Sequence, residues 1–262
     1  MSELPIERIS YSSCCDYSYC GRYFNLVHIQ KVGRKQQSPD TIFGSWIHSY
    51  VQSVLEGKLE PLPASIEYKK KWKRLCSLYK LPEKYLSWDV VGEKVILNVR
   101  EFFKEKFGNF KVRHIEYQIL QKLSEFPQNF KGFIDIVLEL EDGKIVVADF
   151  KTAGSLYFFK KYQDAVKDYQ IVLYKKFYSE IEKIDIKNID LCFIVLEKNA
   201  KSKTPISLIE VTSGNVKLKN AENWVSTNLM AINSNKFFPN RSACHKFGPD
   251  NPCVFFRTKH CK

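Results

Sequence analysis

The sequence predicts an α/β fold: a helical first part, then a mixed central sheet flanked by helices. Three observations predict it. Apolar residues recur at helical spacing in segments between residues 12 and 107. From residue 112 the pattern changes to strand-like alternation and short apolar runs. An amphipathic stretch over 160–182 then separates strand-like segments at 144–150 and 189–197, as a crossover helix separates strands of one sheet.

Residues 12–31 read as the first helix, capped by Ser12 or Ser13, with Tyr19, Tyr23, Phe24 and Val27 on one face. The polar linker GRKQQSPD ends at Asp40, the expected N-cap of a second helix, TIFGSWIHSYVQSVLEG, which stops at Gly57. Its apolar stripe is Phe43, Trp46, Ile47, Tyr50, Val51 and Val54. A third helix carries the basic stretch Lys69 to Arg74, and a fourth runs from Trp88 to Phe107 with Val91, Val95, Val99 and Phe102 on one face. Strands follow at 112–120, 132–140 and 144–150, then a helix over 160–182 and strands at 189–197 and 206–211. A last helix over 215–235 leads into a cysteine-bearing tail. The length suits one domain: a mostly helical part (1–110), an α/β core (111–212), and a C-terminal helix and tail (213–262) packing on the first helix.

Hydrophobic residues make up 44% and charged ones 27%, which excludes a disordered polar chain or a collagen-like repeat. No run approaches the roughly 18 apolar residues of a membrane span, so no membrane partner is expected. MSELPIERIS has no charged-then-apolar signal segment, and a cytoplasmic location is the expectation. The 41 Lys+Arg against 29 Asp+Glu give a formal charge of +12, pointing to an anionic partner, most simply nucleic acid. KKKWKR (69–74), FFKK (158–161) and YKKFY (174–178) mix cations with aromatics, as segments that touch phosphates and stack on unpaired bases do.

The informative region is 132–151. Phe133, Asp135 and Val137 share one strand face, and Val147, Asp149 and Lys151 share one on the next strand. Two carboxylates and a lysine thus interrupt strands that otherwise look fully buried. A buried carboxylate is costly unless it is paired or binds a cation. A two-residue turn at Asp142-Gly143 would set Asp135 against Phe150. A three-residue loop, Glu141-Asp142-Gly143 with Gly143 left-handed, pairs Leu140 with Lys144 and sets Asp135 opposite Asp149. The second register is the expected one, since opposed carboxylates, with Cβ atoms about 5 Å apart, can share one hard cation. Mg²⁺ or Mn²⁺ there would activate a water and clamp a phosphodiester oxygen, and Lys151 would point into the same site. Acid-x-Lys triplets also occur at Glu56-Lys58, Glu67-Lys69, Asp142-Lys144 and Asp185-Lys187, where they read as solvated pairs. Only Asp149-Phe150-Lys151 ends an apolar strand that follows another with an interior Asp.

An ordered set of segments then resembles the RecB-like branch of the PD-(D/E)XK nuclease superfamily: FGSWIH around His48, Glu116 on the first strand, GFID ending at Asp135, ADFKT with Asp149 and Lys151, and YQIVLY with Gln170 and Tyr174. The resemblance spans roughly 10–262. It implies the restriction-endonuclease-like core, with His48, Asp135, Asp149 and the Phe150 carbonyl as metal ligands and Lys151 as catalytic lysine. It also implies Gln170 and Tyr174, one helical turn apart, as a pair lining the site near DNA, and Glu116 as the strand-one acid. From the residues alone, His48 also reads as a hydrogen-bonded structural histidine, Glu116 as a strand-edge acid, and Gln170 and Tyr174 as core polar groups.

Of eight cysteines, Cys76 and Cys192 lie in apolar runs and read as buried thiols; the other six crowd into the first 20 and last 19 residues. That distribution suggests a metal or cluster site joining the two ends. In many RecB-like nucleases, one N-terminal and three C-terminal cysteines hold a [4Fe–4S] cluster, and Cys20, Cys244, Cys253 and Cys261 are similar in order. Their x8 and x7 spacings depart from the close pair usual in the family. Zinc on the same thiolates, substitution by Cys14 or Cys15, and free thiols are the alternatives.

The reading that follows is a Mg²⁺- or Mn²⁺-dependent DNase, first an exonuclease on DNA ends or single strands. The alternatives are a structure-selective endonuclease and a non-catalytic DNA-binding or recombination accessory protein that keeps the fold. A helicase or recombination protein is the expected kind of protein partner, and the length resembles stand-alone nucleases of phage or mobile elements.

Overall fold

The computed structural model describes residues 5–33, 38–161, 163–198, 205–245 and 253–261. In chain order its main elements are β1 (Arg8–Ile9), α1 (Tyr11–Tyr19), α2 (Gly21–Phe24), α3 (Pro39–Leu55), α4 (Pro61–Leu78), α5 (Trp88–Phe107), β2 (Phe110–Lys122), β3 (Asn129–Leu140), β4 (Ile145–Ala153), α6 (Leu156–Lys161), α7 (Ala165–Glu182), β5 (Ile189–Glu197), β6 (Ile206–Glu210) and α8 (Asn215–Asn233). They fall into two compact units. The larger takes residues 37–117 and 133–214; the smaller takes 1–36, 118–132 and 215–262. Among the described residues no helix is long and apolar enough to cross a membrane.

In the larger unit β3, β4, β5 and β6 are neighbours in that order. β4 runs antiparallel to β3 and parallel to β5, so the sheet is mixed and the connection through α6 and α7 is the expected crossover. Its core lies on one sheet face. Ile136 and Leu138 of β3, Val146, Ala148 and Phe150 of β4, and Cys192, Ile194 and Leu196 of β5 pack there with the apolar faces of α3, α4 and α5. Alternation sends Val137, Val147, Asp149 and Lys151 to the other face, that of α7. Both sheet faces are therefore covered, as a parallel strand pair requires.

α3 begins earlier than the linker reading implies. Ser38, not Asp40, is its N-cap, accepting the Thr41 N–H at 3.2 Å, with Pro39 in the first turn. Residues 34–37 of the linker lie outside the described residues.

The smaller unit corrects the first helix. The expected 12–31 segment is broken at Cys20, which is extended, so that α1 ends at Tyr19 and α2 begins at Gly21. The physical reason is a close approach: a Cβ on Gly21 would lie 3.1 Å from the backbone at Phe237 and Phe238, and Arg22 N–H donates to the Phe238 carbonyl at 3.1 Å. A π-helical turn over Asn25–Ile29 carries the chain on. α1 is capped by Ser10 in a box with Ser13, not by Ser12 or Ser13. It packs against α8, where Ser18 donates to Asn228 Oδ1 at 3.0 Å, and Tyr17 donates to the Lys236 carbonyl just after α8 at 2.6 Å.

Candidate active site

The loop between β3 and β4 sets the site. Leu140 N–H donates to the Lys144 carbonyl at 2.9 Å, Gly143 has φ +80°, and Lys144 N–H is held by Asp142 Oδ1 at 3.0 Å. This is the three-residue loop. It fixes the ladder Leu138 to Val146, Val137 to Val147 and Ile136 to Ala148. The paired ladder ends there; just beyond it Asp135 Oδ2 accepts the Phe150 N–H at 2.6 Å, and Asp135 lies near enough to Asp149 to feel its charge.

Asp149 is 2% exposed and Lys151 about a third, so the pair grades from interior to surface. Lys151 Nζ stands 2.7 Å from Asp149 Oδ2 as an ion pair. The same ammonium donates to Gln170 Oε1 at 2.7 Å, and Gln170 Nε2 donates to the Tyr174 hydroxyl at 3.0 Å. The helical-turn spacing of α7 thus delivers Gln170 and Tyr174 to the lysine as one relay. Burial raises the pKa of both carboxylates. The Asp149 charge raises Asp135 further, and Lys151 opposes the rise at Asp149.

His48 and Glu116 approach from two other elements. α3 can lie close to β4 because Gly44 faces Thr152, whose Oγ1 is 3.2 Å from where a Cβ would be. One turn on, the His48 ring sits 5.7 Å from that of Phe150. Its Nε2 is buried without a partner, and burial with the Lys151 charge lowers its pKa from 6.5 to about 4. It is therefore a neutral imidazole with a free ring nitrogen, the form that ligates metals. Glu116 adopts φ +51° within β2, a costly conformation for a residue with a side chain.

The sequence reading missed Gln52. It lies one helical turn beyond His48, is 6% exposed, and donates through Nε2 to Glu116 Oε1 at 2.7 Å and to the Asp135 carbonyl at 3.2 Å. One amide thus ties the strand-one acid to the strand bearing Asp135. The available signal was a glutamine four residues after His48, on the same side of the helix and away from its apolar stripe.

Among the described residues, no three His, Cys, Asp or Glu side chains are grouped closely enough to hold a metal ion as they stand. The donors nonetheless fit a divalent cation. Two carboxylates are buried against each other's charge, and an imidazole nitrogen has no partner.

In the smaller unit, Cys20, Cys244, Cys253 and Cys261 line one cavity with Tyr19, Arg22 and Tyr23. Cys14 and Cys15 do not line it. Cys20 Sγ accepts the Asn240 N–H at 3.2 Å, and Cys253 N–H donates to the Cys244 carbonyl at 2.8 Å. Burial is the first cause of the raised pKa of Cys244 and Cys253, and the other thiols add to it. The cavity they line has a volume of about 10 Å³, one water's worth. Residues 246–252 of the tail lie outside the described residues. Cys76 and Cys192 are buried in the core of the larger unit, as expected.

Two buried acids and a lysine held by a glutamine thus meet near the end of β4. The family model of the PD-(D/E)XK nuclease superfamily matches residues 8–253. The chain belongs to the PD-(D/E)XK nuclease superfamily, and membership implies a phosphodiester-hydrolysing nuclease. The crystal structure of a candidate exonuclease from Eubacterium rectale is similar in fold. It has a TM-score of 0.56 and 16% identity, covering 95% of this chain and 89% of that one. The solved structure of SSO0001 aligns with a TM-score of 0.35 and 15% identity over 73% of this chain and 84% of its own. No curated protein matches the sequence.

Proposed function

We propose that the protein is a Mg²⁺- or Mn²⁺-dependent deoxyribonuclease of RecB-like type, acting as an exonuclease on DNA ends or single strands. One observation carries this reading: Asp135 and Asp149 are buried within reach of each other's charge, and Lys151 is ion-paired to Asp149 and held by Gln170. A binding module has no use for two costly buried acids beside an anchored lysine. The name of the Eubacterium rectale protein supports the exonuclease choice, and His48 with the Gln170–Tyr174 pair supports the RecB-like one.

In this reading Asp135, Asp149, His48 and the Phe150 carbonyl hold the cation. When bound, it lowers the pKa of a coordinated water and screens the phosphate charge. Lys151 leaves Asp149 to orient the attacking water and to stabilise the charge that builds on the phosphate. Gln170 keeps the ammonium aimed during that exchange, and Tyr174 fixes Gln170. Glu116, held by Gln52, faces the same centre as a further acid.

We further infer that Cys20, Cys244, Cys253 and Cys261 hold a [4Fe–4S] cluster, with zinc the alternative occupant. Their convergence on one cavity, to the exclusion of Cys14 and Cys15, supports the assignment. Such a group would staple the tail to the break between α1 and α2.

The test is end-labelled single- and double-stranded DNA with Mg²⁺ or Mn²⁺. Asp149→Ala and Lys151→Ala should abolish cutting while DNA binding stays measurable. Equal cutting by wild type and both variants defeats the catalytic assignment, and binding without cutting in the wild type favours an accessory role. For the cysteines, anaerobic purification should give a brown protein whose broad visible absorption is lost in Cys253→Ser. A colourless protein with stoichiometric zinc decides for zinc.

A further inference from the structure

Three segments mix aromatics with cations, and burial separates them. In α4, Trp72 is wholly buried, and Lys69 and Lys73 face Glu93 and Asp89 at 2.6 and 3.6 Å. In α7, Tyr174, Phe177 and Tyr178 are all buried. Only α6 turns its rings outward: Tyr157 is 67% and Phe158 51% exposed, with Lys160 and Lys161 exposed beside them.

α6 is also fixed in place next to the reacting centre. It starts three residues after β4 ends. Its first N–H, on Leu156, donates to Glu197 Oε2 at the end of β5 at 2.8 Å, and Phe158 N–H is held by Ser155 Oγ at 3.3 Å. Its third aromatic, Phe159, packs inward, ring centroid 5.7 Å from that of Phe193. The Phe193 ring lies 5.9 Å from Lys151 Nζ. One buried ring therefore neighbours both the proposed catalytic lysine and the anchor of α6. Tyr157 and Phe158, edge to face at 5.7 Å, form an exposed aromatic ledge just before that anchor in the helix.

We propose that this ledge stacks unpaired bases of the substrate strand as it enters the site, with Lys160 and Lys161 on its phosphates. Exposed large rings are costly in water, and every base offers a π-face whatever its identity, so the surface fits a single strand without sequence preference. A blunt duplex, with its bases stacked on each other, has only its terminal pair to offer. The inference rests on the nuclease reading and deepens it: the ledge makes unpaired DNA the preferred substrate.

The test uses full-length protein carrying Asp149→Ala, so that nothing is cut, with oligonucleotides containing 2-aminopurine. Single strands should show quenched 2-aminopurine emission on binding. Adding Tyr157→Ala and Phe158→Ala should abolish the quench and weaken single-strand binding roughly tenfold or more. Leucine at both positions keeps apolar area without rings and should restore neither. Unchanged quenching and affinity in the alanine variant overturn the ledge, and full recovery with leucine overturns stacking as its mechanism. In the otherwise wild-type chain, the ratio of KM for single strands to KM for blunt duplex should rise with the alanine pair. A wild type that cuts no DNA would instead defeat the nuclease reading, which the binding assay does not depend on.

Discussion

The acid site and the cysteine cavity solve the same problem, gathering charge-prone side chains, by opposite means. The acids are placed by a ladder: one tight loop sets the register, and every face assignment along β3 and β4 follows from period two. The cysteines are placed by irregularity: an extended residue at a helix break, a 3-10 turn over Arg241–His245 and a tail that meets them. Regular structure makes position calculable from spacing. Irregular structure brings residues together without leaving a period to read.

The largest expected effects separate the two regions. Asp149→Ala should lower metal-dependent cleavage by at least about 10³-fold, the scale of a lost charge-stabilising group, while leaving any visible absorption from the cysteines intact. Cys253→Ser should do the reverse, removing the absorption and lowering the thermal midpoint, with cleavage by freshly purified protein falling less than about tenfold. Loss of both signals in both variants would show that the regions are not separable.

Gln52→Leu comes next. Removing a buried donor leaves Glu116 and the Asp135 carbonyl without it, and outer-sphere changes of this kind cost roughly 10–100-fold in metal affinity or activity. A rise in the Mg²⁺ concentration needed for half-maximal cleavage is the reading to take. An unchanged metal dependence would reduce Gln52 to a packing residue.

The contrast also explains what could be read from sequence. α5, β5 and the β3–β4 register follow from periodicity and a glycine turn, and they appear where expected. The boundary at Cys20 does not, because its cause is the 237–238 segment, more than two hundred residues away. Gln52 was hidden for a related reason: it lies off the apolar stripe of its helix, where a polar residue reads as solvent-facing until its partners on β2 and β3 are known. The reading starts the crossover helix at 160 and leaves most of the short helix α6 unassigned, although Asp164, which accepts the Lys167 N–H at 2.9 Å, is an ordinary N-cap for α7.

Acidity offers a subtler probe of the acid site. In metal-free protein, burial raises the Asp135 and Asp149 pKa values above 3.8, so the folded chain holds protons that the unfolded chain has already released. Their contribution is present below that value and is lost as pH rises through the folded-state pKa. His48 acts in the other direction. Its pKa falls from 6.5 to about 4, so its contribution is complete above 6.5 and is lost as pH falls toward 4. In EDTA, Asp135→Asn should therefore gain stability over wild type as pH rises from about 4, and His48→Gln should flatten the loss between pH 6.5 and 4. Parallel curves for wild type and both variants would mean that neither group is desolvated in the fold.

The smallest effect compares the two glycines on which the regions depend. At Gly21 a methyl would meet backbone, Phe237 Cα and Phe238 N at 3.1 Å, in a segment already tied to Arg22. Backbone cannot yield without moving the wall of the cysteine cavity, so overpacking of about 1–3 kcal/mol should exceed the roughly 1 kcal/mol that alanine gains over glycine in a helix. At Gly44 the methyl would meet only the side chain of Thr152, Oγ1 at 3.2 Å and Cγ2 at 3.8 Å, and a rotamer change relieves it. There the helix gain should roughly cancel the contact. Gly21→Ala should thus lower the urea midpoint clearly while Gly44→Ala leaves it within about 0.5 kcal/mol of wild type. The reverse order would mean that the approach of α3 to β4, not the break beside Cys20, is the tighter of the two constraints.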